Sequence, residues 1–109
     1  MIVDISKKIL IVGLGLLGGS YAMALKKKGY CVKAITKEQN SIDFALEHGY
    51  IDDGADFPKE SLISEADVVI CALYPNVFLT WIEENQNFFK SGAIITDVTG
   101  VKQSIVYKL

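Results

Sequence analysis

The run Gly13-Leu14-Gly15-Leu16-Leu17-Gly18 constrains this chain more than any other feature, because of what lies on either side of it. Before it, Lys8 to Val12 is a short continuous apolar stretch rich in β-branched residues, the pattern of a strand buried on both faces. After it, Leu17, Tyr21, Ala24 and Leu25 recur at helical spacing until Lys26, Lys27, Lys28 and Gly29 supply a stop. A strand that turns into a helix through three glycines at this spacing has a physical purpose. Gly13 permits the sharp turn, Gly15 removes the side chain that would keep a pyrophosphate away, and Gly18 lets the helix pack closely on the strand. Unpaired backbone N–H groups at the helix start, Leu16 and Leu17 among them, then face the phosphates, helped by the positive end of the helix dipole. The Leu14, Leu16 and Leu17 side chains offer no chemistry and serve packing, and Ser20 reaches either a phosphate or solvent. The plainer alternative is a tight corner with no ligand. A P-loop does not fit, because no Lys-Ser or Lys-Thr pair follows the glycines.

The rest of the chain repeats the alternation. Cys31 to Ile35 reads as a second strand, and Ser41 to His48 as a helix with Ile42, Ala45 and Leu46 on one face, closed by Gly49. Tyr50 to Pro58 is polar and turn-like with room for one short strand, and Ser61 to Ala66 is a helical turn. Asp67 to Ala72 is a third apolar strand. Pro75 opens a helix carrying Val77, Phe78, Trp81 and Ile82, Ala93 to Thr96 is a further strand, and Val101 to Tyr107 reads as the start of another helix. Strands alternating with helices over short links predict an α/β fold: a doubly wound, mainly parallel sheet of the Rossmann type with helices on both faces, forming one domain over 1–109. A helix begun at Val101 would leave the sheet's far edge and part of one face uncovered, which favours association.

Half of the 109 residues are hydrophobic and 22% are charged, which suits a sheet covered on both sides. The net charge of −2 makes nucleic acid an unsuitable partner, and the Lys26 to Lys28 run reads as compensation of a helix dipole. No apolar run is long enough to span a bilayer, so the expected location is cytoplasmic, without a membrane partner. Cys31 and Cys71 lack the spacing of a metal knuckle or redox motif and read as reduced core thiols. His48 is the one histidine and has no clustered ligands, so no metal is expected.

Cofactor choice should be written at the end of the second strand, where an acid binds a ribose 2′-hydroxyl and a base welcomes a 2′-phosphate. The chain has Thr36-Lys37 there and no acid at Thr36, which tilts the expectation from NAD towards NADP. Glu38 is near enough to contact a ribose instead, and Thr36 also suits a helix N-cap with Lys37 a solvated charge. Ala72-Leu73-Tyr74-Pro75 ends the third strong strand, on the edge where open parallel sheets bind ligands, so its backbone is expected to line the cofactor's path. Tyr74 reads better as a loop aromatic covering core. Asp97, Thr99 and Lys102 stand at a further strand end, where they address the nicotinamide or a substrate carboxylate, or else close a turn, cap a helix and face solvent.

Four blocks together resemble one family: Gly13-Leu14-Gly15-Leu16-Leu17-Gly18-Gly19-Ser20, Ala45-Leu46-Glu47-His48-Gly49-Tyr50-Ile51-Asp52, Ala66-Asp67-Val68-Val69-Ile70 and Asp97-Val98-Thr99-Gly100-Val101-Lys102. In this order they resemble the N-terminal half of the prephenate dehydrogenases, a family that includes the arogenate dehydrogenases. The resemblance implies hydride transfer from prephenate to NAD or NADP with loss of carbon dioxide, giving 4-hydroxyphenylpyruvate in tyrosine biosynthesis. It also implies a neutral catalytic His in a His-Pro-Met-type segment beyond the region of Lys102, and a helical domain after it that binds substrate and forms a homodimer. Neither lies within this sequence, so no catalytic residue is assigned, and the chain is expected to bind cofactor without turnover. His48 falls in the wrong block and reads as a helix C-terminal residue. Many members have Gly-Ser where this chain has Thr99-Gly100, and Thr99 would take over the role of that Ser. Two other readings compete: a stand-alone cofactor-binding or redox-sensing module, and a related imine or hydroxyacid dehydrogenase sharing the phosphate loop.

Overall fold

A computed structural model describes residues 7–13, 16–73, 75–97 and 105–108. Strand β1 (Lys8–Val12) leads into α1 (Leu16–Lys27), β2 (Cys31–Ile35), α2 (Gln39–Glu47), β3 (Asp53–Ala55), α3 (Glu60–Ser64) and β4 (Val68–Cys71). Then come α4 (Pro75–Asn85), a 3-10 turn at Gln86–Phe88, β5 (Ile94–Asp97) and β6 (Ile105–Lys108). Among the described residues the strands form one sheet in the order β3-β2-β1-β4-β5-β6, with β1 to β5 parallel and β6 antiparallel to β5. The expected doubly wound architecture is therefore present.

The continuous apolar strands are explained by what covers them. Side chains alternate between faces along a strand, so a strand buried on both faces needs apolar residues at every position. Ile9 and Ile11 of β1 join Ala22, Val32, Ala34, Ile42 and Ala45 in the core beneath α1 and α2. Leu10 and Val12 join Leu62, Ile63, Val69, Cys71, Phe78 and Ile95 in the core beneath α3 and α4.

Two carboxylates tie the N-terminal edge of the sheet. Asp67 accepts the Lys8 N–H at 2.7 Å and pairs with Lys90, and its own N–H donates to the Lys8 carbonyl at 2.9 Å. The Lys90 ammonium, then the Lys8 N–H, hold its carboxyl below the usual range. Asp52 accepts the Val32 N–H at 2.8 Å and the Lys26 ammonium at 2.7 Å, joining the end of α1 to the start of β2. Burial pushes its pKa up, but Lys26 and the Val32 N–H outweigh that and leave it lowered.

The chain departs from expectation after β5. Val101 to Tyr107 was expected to begin a helix, yet Ile105–Lys108 pairs antiparallel with β5, setting Ile95 opposite Tyr107 and Thr96 opposite Val106. Residues 101–104 lie outside the described residues. Ile105, Val106 and Tyr107 are β-branched or aromatic, and the open hydrogen-bonding edge of β5 satisfies a backbone that a single helical turn would leave half unpaired. The edge of β5 is consequently paired, contrary to the expectation that the sheet would stop there. On the face that α1 and α2 cover, Ile94 remains 37% exposed. Elsewhere the differences are boundaries: the second helix starts at Gln39 rather than Ser41, and the short strand anticipated between Tyr50 and Pro58 is β3.

Candidate dinucleotide site

The C-terminal ends of β1, β2 and β4 meet at the point where the strand order reverses. Val12 stands opposite both Ile35 and Cys71, so the residues that follow, Gly13, Thr36 and Ala72, lie side by side on one edge. Backbone bonds fix them: the Gly13 N–H donates to the Ile35 carbonyl at 2.7 Å, the Ala72 N–H to the Val12 carbonyl at 2.8 Å, and the Thr36 N–H to the Ala55 carbonyl at 3.1 Å. Open parallel sheets bind ligands in the crevice at such a switch point.

Two glycines bear out the steric reading of the turn. Gly13 has φ +94°, and a methyl group there would lie 2.7 Å from the Ala72 carbonyl oxygen. A methyl on Gly18 would lie 1.8 Å from the Gly13 carbonyl oxygen and 3.4 Å from the Ala72 Cβ. The start of α1 thus rests directly on the end of β1 beside β4, an approach that only glycine allows. Leu16 and Leu17 are the first residues of α1, whose first turn carries no acidic side chain to compete with an anion. A helix N-terminus held at a sheet's switch point fits a pyrophosphate.

The anticipated residues are distributed as follows. Gly13, Gly18, Ala72 and Leu73 come together, with Leu73 Cδ2 at 3.4 Å from the position of a Gly13 methyl. Thr36 is joined to them through the β1-β2 ladder and is half-buried, whereas Lys37 and Glu38 are exposed. The N-cap of α2 is Glu38, so the alternative of Thr36 as that helix's cap does not hold. Ser20 is exposed in α1. Gly15, Tyr74, Thr99 and Lys102 lie outside the described residues, as does the side chain of Asp97. His48 caps the C-terminus of α2, where its Nδ1–H donates to the Phe44 carbonyl at 2.9 Å and its ring stacks on Phe44, a structural place away from the strand ends. Among the described residues no group of three or more His, Cys, Asp and Glu is arranged to hold a metal ion, and no helix is long and apolar enough to cross a membrane.

The end of β3 was missed as part of this edge. Ile35 stands opposite Ala55, so Asp56 and Phe57 leave β3 at the same edge of the sheet as Thr36 and Lys37 leave β2. The signal was faint, since Asp53–Ala55 is only three residues long and contains a glycine.

Comparison with known proteins agrees with the geometry. The family model described as the prephenate dehydrogenase nucleotide-binding domain matches residues 21–109. A prephenate dehydrogenase of Bacillus subtilis (strain 168) is 39% identical over 101 residues, which cover 90% of this chain and 27% of the relative. One from Lactococcus lactis subsp. cremoris is 34% identical over 102 residues, covering 92% and 28%. The chain thus spans little more than a quarter of the length of these relatives. Among solved structures it is similar to Synechocystis arogenate dehydrogenase, with a TM-score of 0.80 and 29% identity over 88% of this chain and 34% of that one. It is also similar to Aquifex aeolicus prephenate dehydrogenase in complex with hydroxyphenyl propionate and NAD+, with a TM-score of 0.76 and 26% identity over the same shares.

Proposed function

Because the chain belongs to the prephenate dehydrogenase family through its nucleotide-binding domain, we propose that it holds the nicotinamide dinucleotide for oxidation of prephenate, or of its amino counterpart arogenate. The observation that carries this reading is the close seat of α1 on β1 at Gly13 and Gly18, which sets the helix N-terminus at the sheet's switch point. The bound dinucleotide supplies the hydride acceptor. This chain's part is to bind and orient it: backbone N–H groups at the start of α1 take the pyrophosphate, Gly15 leaves room for it, and Ala72, Leu73 and Tyr74 line the path towards the nicotinamide. Thr99, two residues after β5 in the sequence, is assigned to the same path. Thr36 and Lys37 meet the adenosine ribose, and a lysine with no carboxylate at Thr36 favours NADP over NAD. Lys37 supports this by being exposed and engaged in no ion pair among the described residues.

In a full-length dehydrogenase of this family the small-molecule substrate would meet the nicotinamide at this edge. A homodimer is the expected assembly of a full-length dehydrogenase of this family. The two free cysteines suit a reducing compartment, the cytoplasm.

Calorimetric titration of the chain with NAD and NADP, repeated on Gly15→Val, tests the reading. Binding by the folded wild type that is lost in the variant is the expected result, with NADP the tighter ligand. A folded wild type that takes up neither cofactor would overturn it.

A further inference from the structure

Phe44 and Phe57 are the aromatic side chains more than half exposed among the described residues, at 55% and 54%. Phe44 is accounted for, since it stacks on His48 at a centroid distance of 4.0 Å. Phe57 has no ring partner among the described residues and belongs to neither core cluster. A single exposed ring is common on protein surfaces, so its meaning depends on where it is mounted.

The mount is rigid. On one side Ala55 is 6% exposed, is paired with Ile35, and accepts the Thr36 N–H at 3.1 Å. On the other, the Lys59 N–H donates to the Phe57 carbonyl at 2.8 Å across Pro58, whose ring fixes φ. The Lys59 carbonyl then accepts the N–H groups of Leu62 and Ile63, whose side chains are buried at 3% and 0%. Phe57 is therefore held between a sheet strand and a helix anchored in the core.

Its place on the edge identifies the ligand. Adjacent strands lie about 4.8 Å apart, and Phe57 follows Ala55 by two residues, a span of at most about 7 Å. It thus lies just past the end of β3, on the same sheet edge as Thr36 just past the end of β2, where the adenosine half of a dinucleotide would lie. We propose that Phe57 is the stacking wall for the adenine base, a residue that sets the affinity for the adenylate end of the cofactor. The assignment rests on the dinucleotide reading of the site. An adenine presents a flat π-face that a phenyl ring covers without hydrogen bonds, which suits the apolar and otherwise unused surface of Phe57.

The test measures calorimetric affinities of the full chain for NAD and for ADP-ribose, which lacks the nicotinamide, on wild type, Phe57→Ala and Phe57→Trp. Phe57→Ala should weaken both ligands by the same factor, roughly 5- to 20-fold for loss of one stacked base at a half-exposed site. Phe57→Trp should restore the affinity. Phe44→Ala, which removes an equally exposed ring from α2, should leave both affinities unchanged. Wild-type binding that persists within twofold in Phe57→Ala overturns the assignment while leaving the dinucleotide reading intact. A loss for NAD but not for ADP-ribose overturns it too, by placing the ring at the other end. A folded wild type that binds neither ligand overturns the dinucleotide reading, and this assignment with it.

Discussion

Replacing Gly18 by alanine isolates the contact on which the site depends. The new methyl would sit 1.8 Å from the Gly13 carbonyl oxygen, and that oxygen is backbone held by the turn. Contact distances below about 3.0 Å are strongly repulsive, so the start of α1 must withdraw from β1 by more than about 1 Å. Alanine's better helix propensity returns about 1 kcal/mol at most. Overpacking of this kind typically costs about 1–3 kcal/mol, and a clash with backbone rather than a flexible side chain belongs at the upper end. A net loss of about 2 kcal/mol is expected by urea denaturation. The same withdrawal shifts the N–H groups meant for the pyrophosphate, and loss of one or two charge-assisted hydrogen bonds at about 1.5–3 kcal/mol each weakens NAD binding by more than 10-fold. Binding measured well below the variant's melting point separates the two effects. Met23→Ala, at an exposed position of the same helix, serves as the reference, with stability within about 0.5 kcal/mol of wild type and unchanged affinity. A Gly18→Ala chain with wild-type stability and NAD affinity within twofold would refute the close-approach argument.

Further outcomes follow from other positions. Lys37→Glu should weaken NADP by at least about 10-fold while changing NAD by less than about threefold, because a carboxylate repels only the 2′-phosphate; titration with both cofactors reads the difference. Phe78→Ala empties a site 3% exposed in the core beneath α3 and α4 and should cost about 3–5 kcal/mol in denaturant unfolding. Asp67 governs part of the acid limb. Its folded pKa lies below the unfolded value of about 3.9, so its contribution is complete above that value and disappears as pH falls through the folded pKa. Asp67→Asn should therefore be less stable than wild type at pH 7, and the gap should close below about pH 4, as urea midpoints across that range will register.

The sequence determined the alternation of elements and the position of the phosphate turn by itself, because both are local. Period-2 packing on two covered faces demands continuous apolar strands such as Lys8–Val12 and Val68–Cys71, and a strand-to-helix turn as tight as that after Val12 demands Gly13 and Gly18. The four blocks that resemble the prephenate dehydrogenases could likewise be read in order along the chain. Tertiary structure decided the rest, where the partner of a residue is remote. Ile105 to Tyr107 became a strand because the edge of β5 was open to them, an edge that no local spacing reveals. Thr36 does not cap α2, because the helix begins at Gln39 with Glu38 at the cap position, while the Thr36 N–H stays with β3 through the Ala55 carbonyl. Phe57 came to the C-terminal edge of the sheet only through the pairing of Ile35 with Ala55, across 19 residues of intervening chain. Local propensity sets which elements form. Which of them become neighbours is set by the burial and backbone pairing available only after the chain has closed on itself.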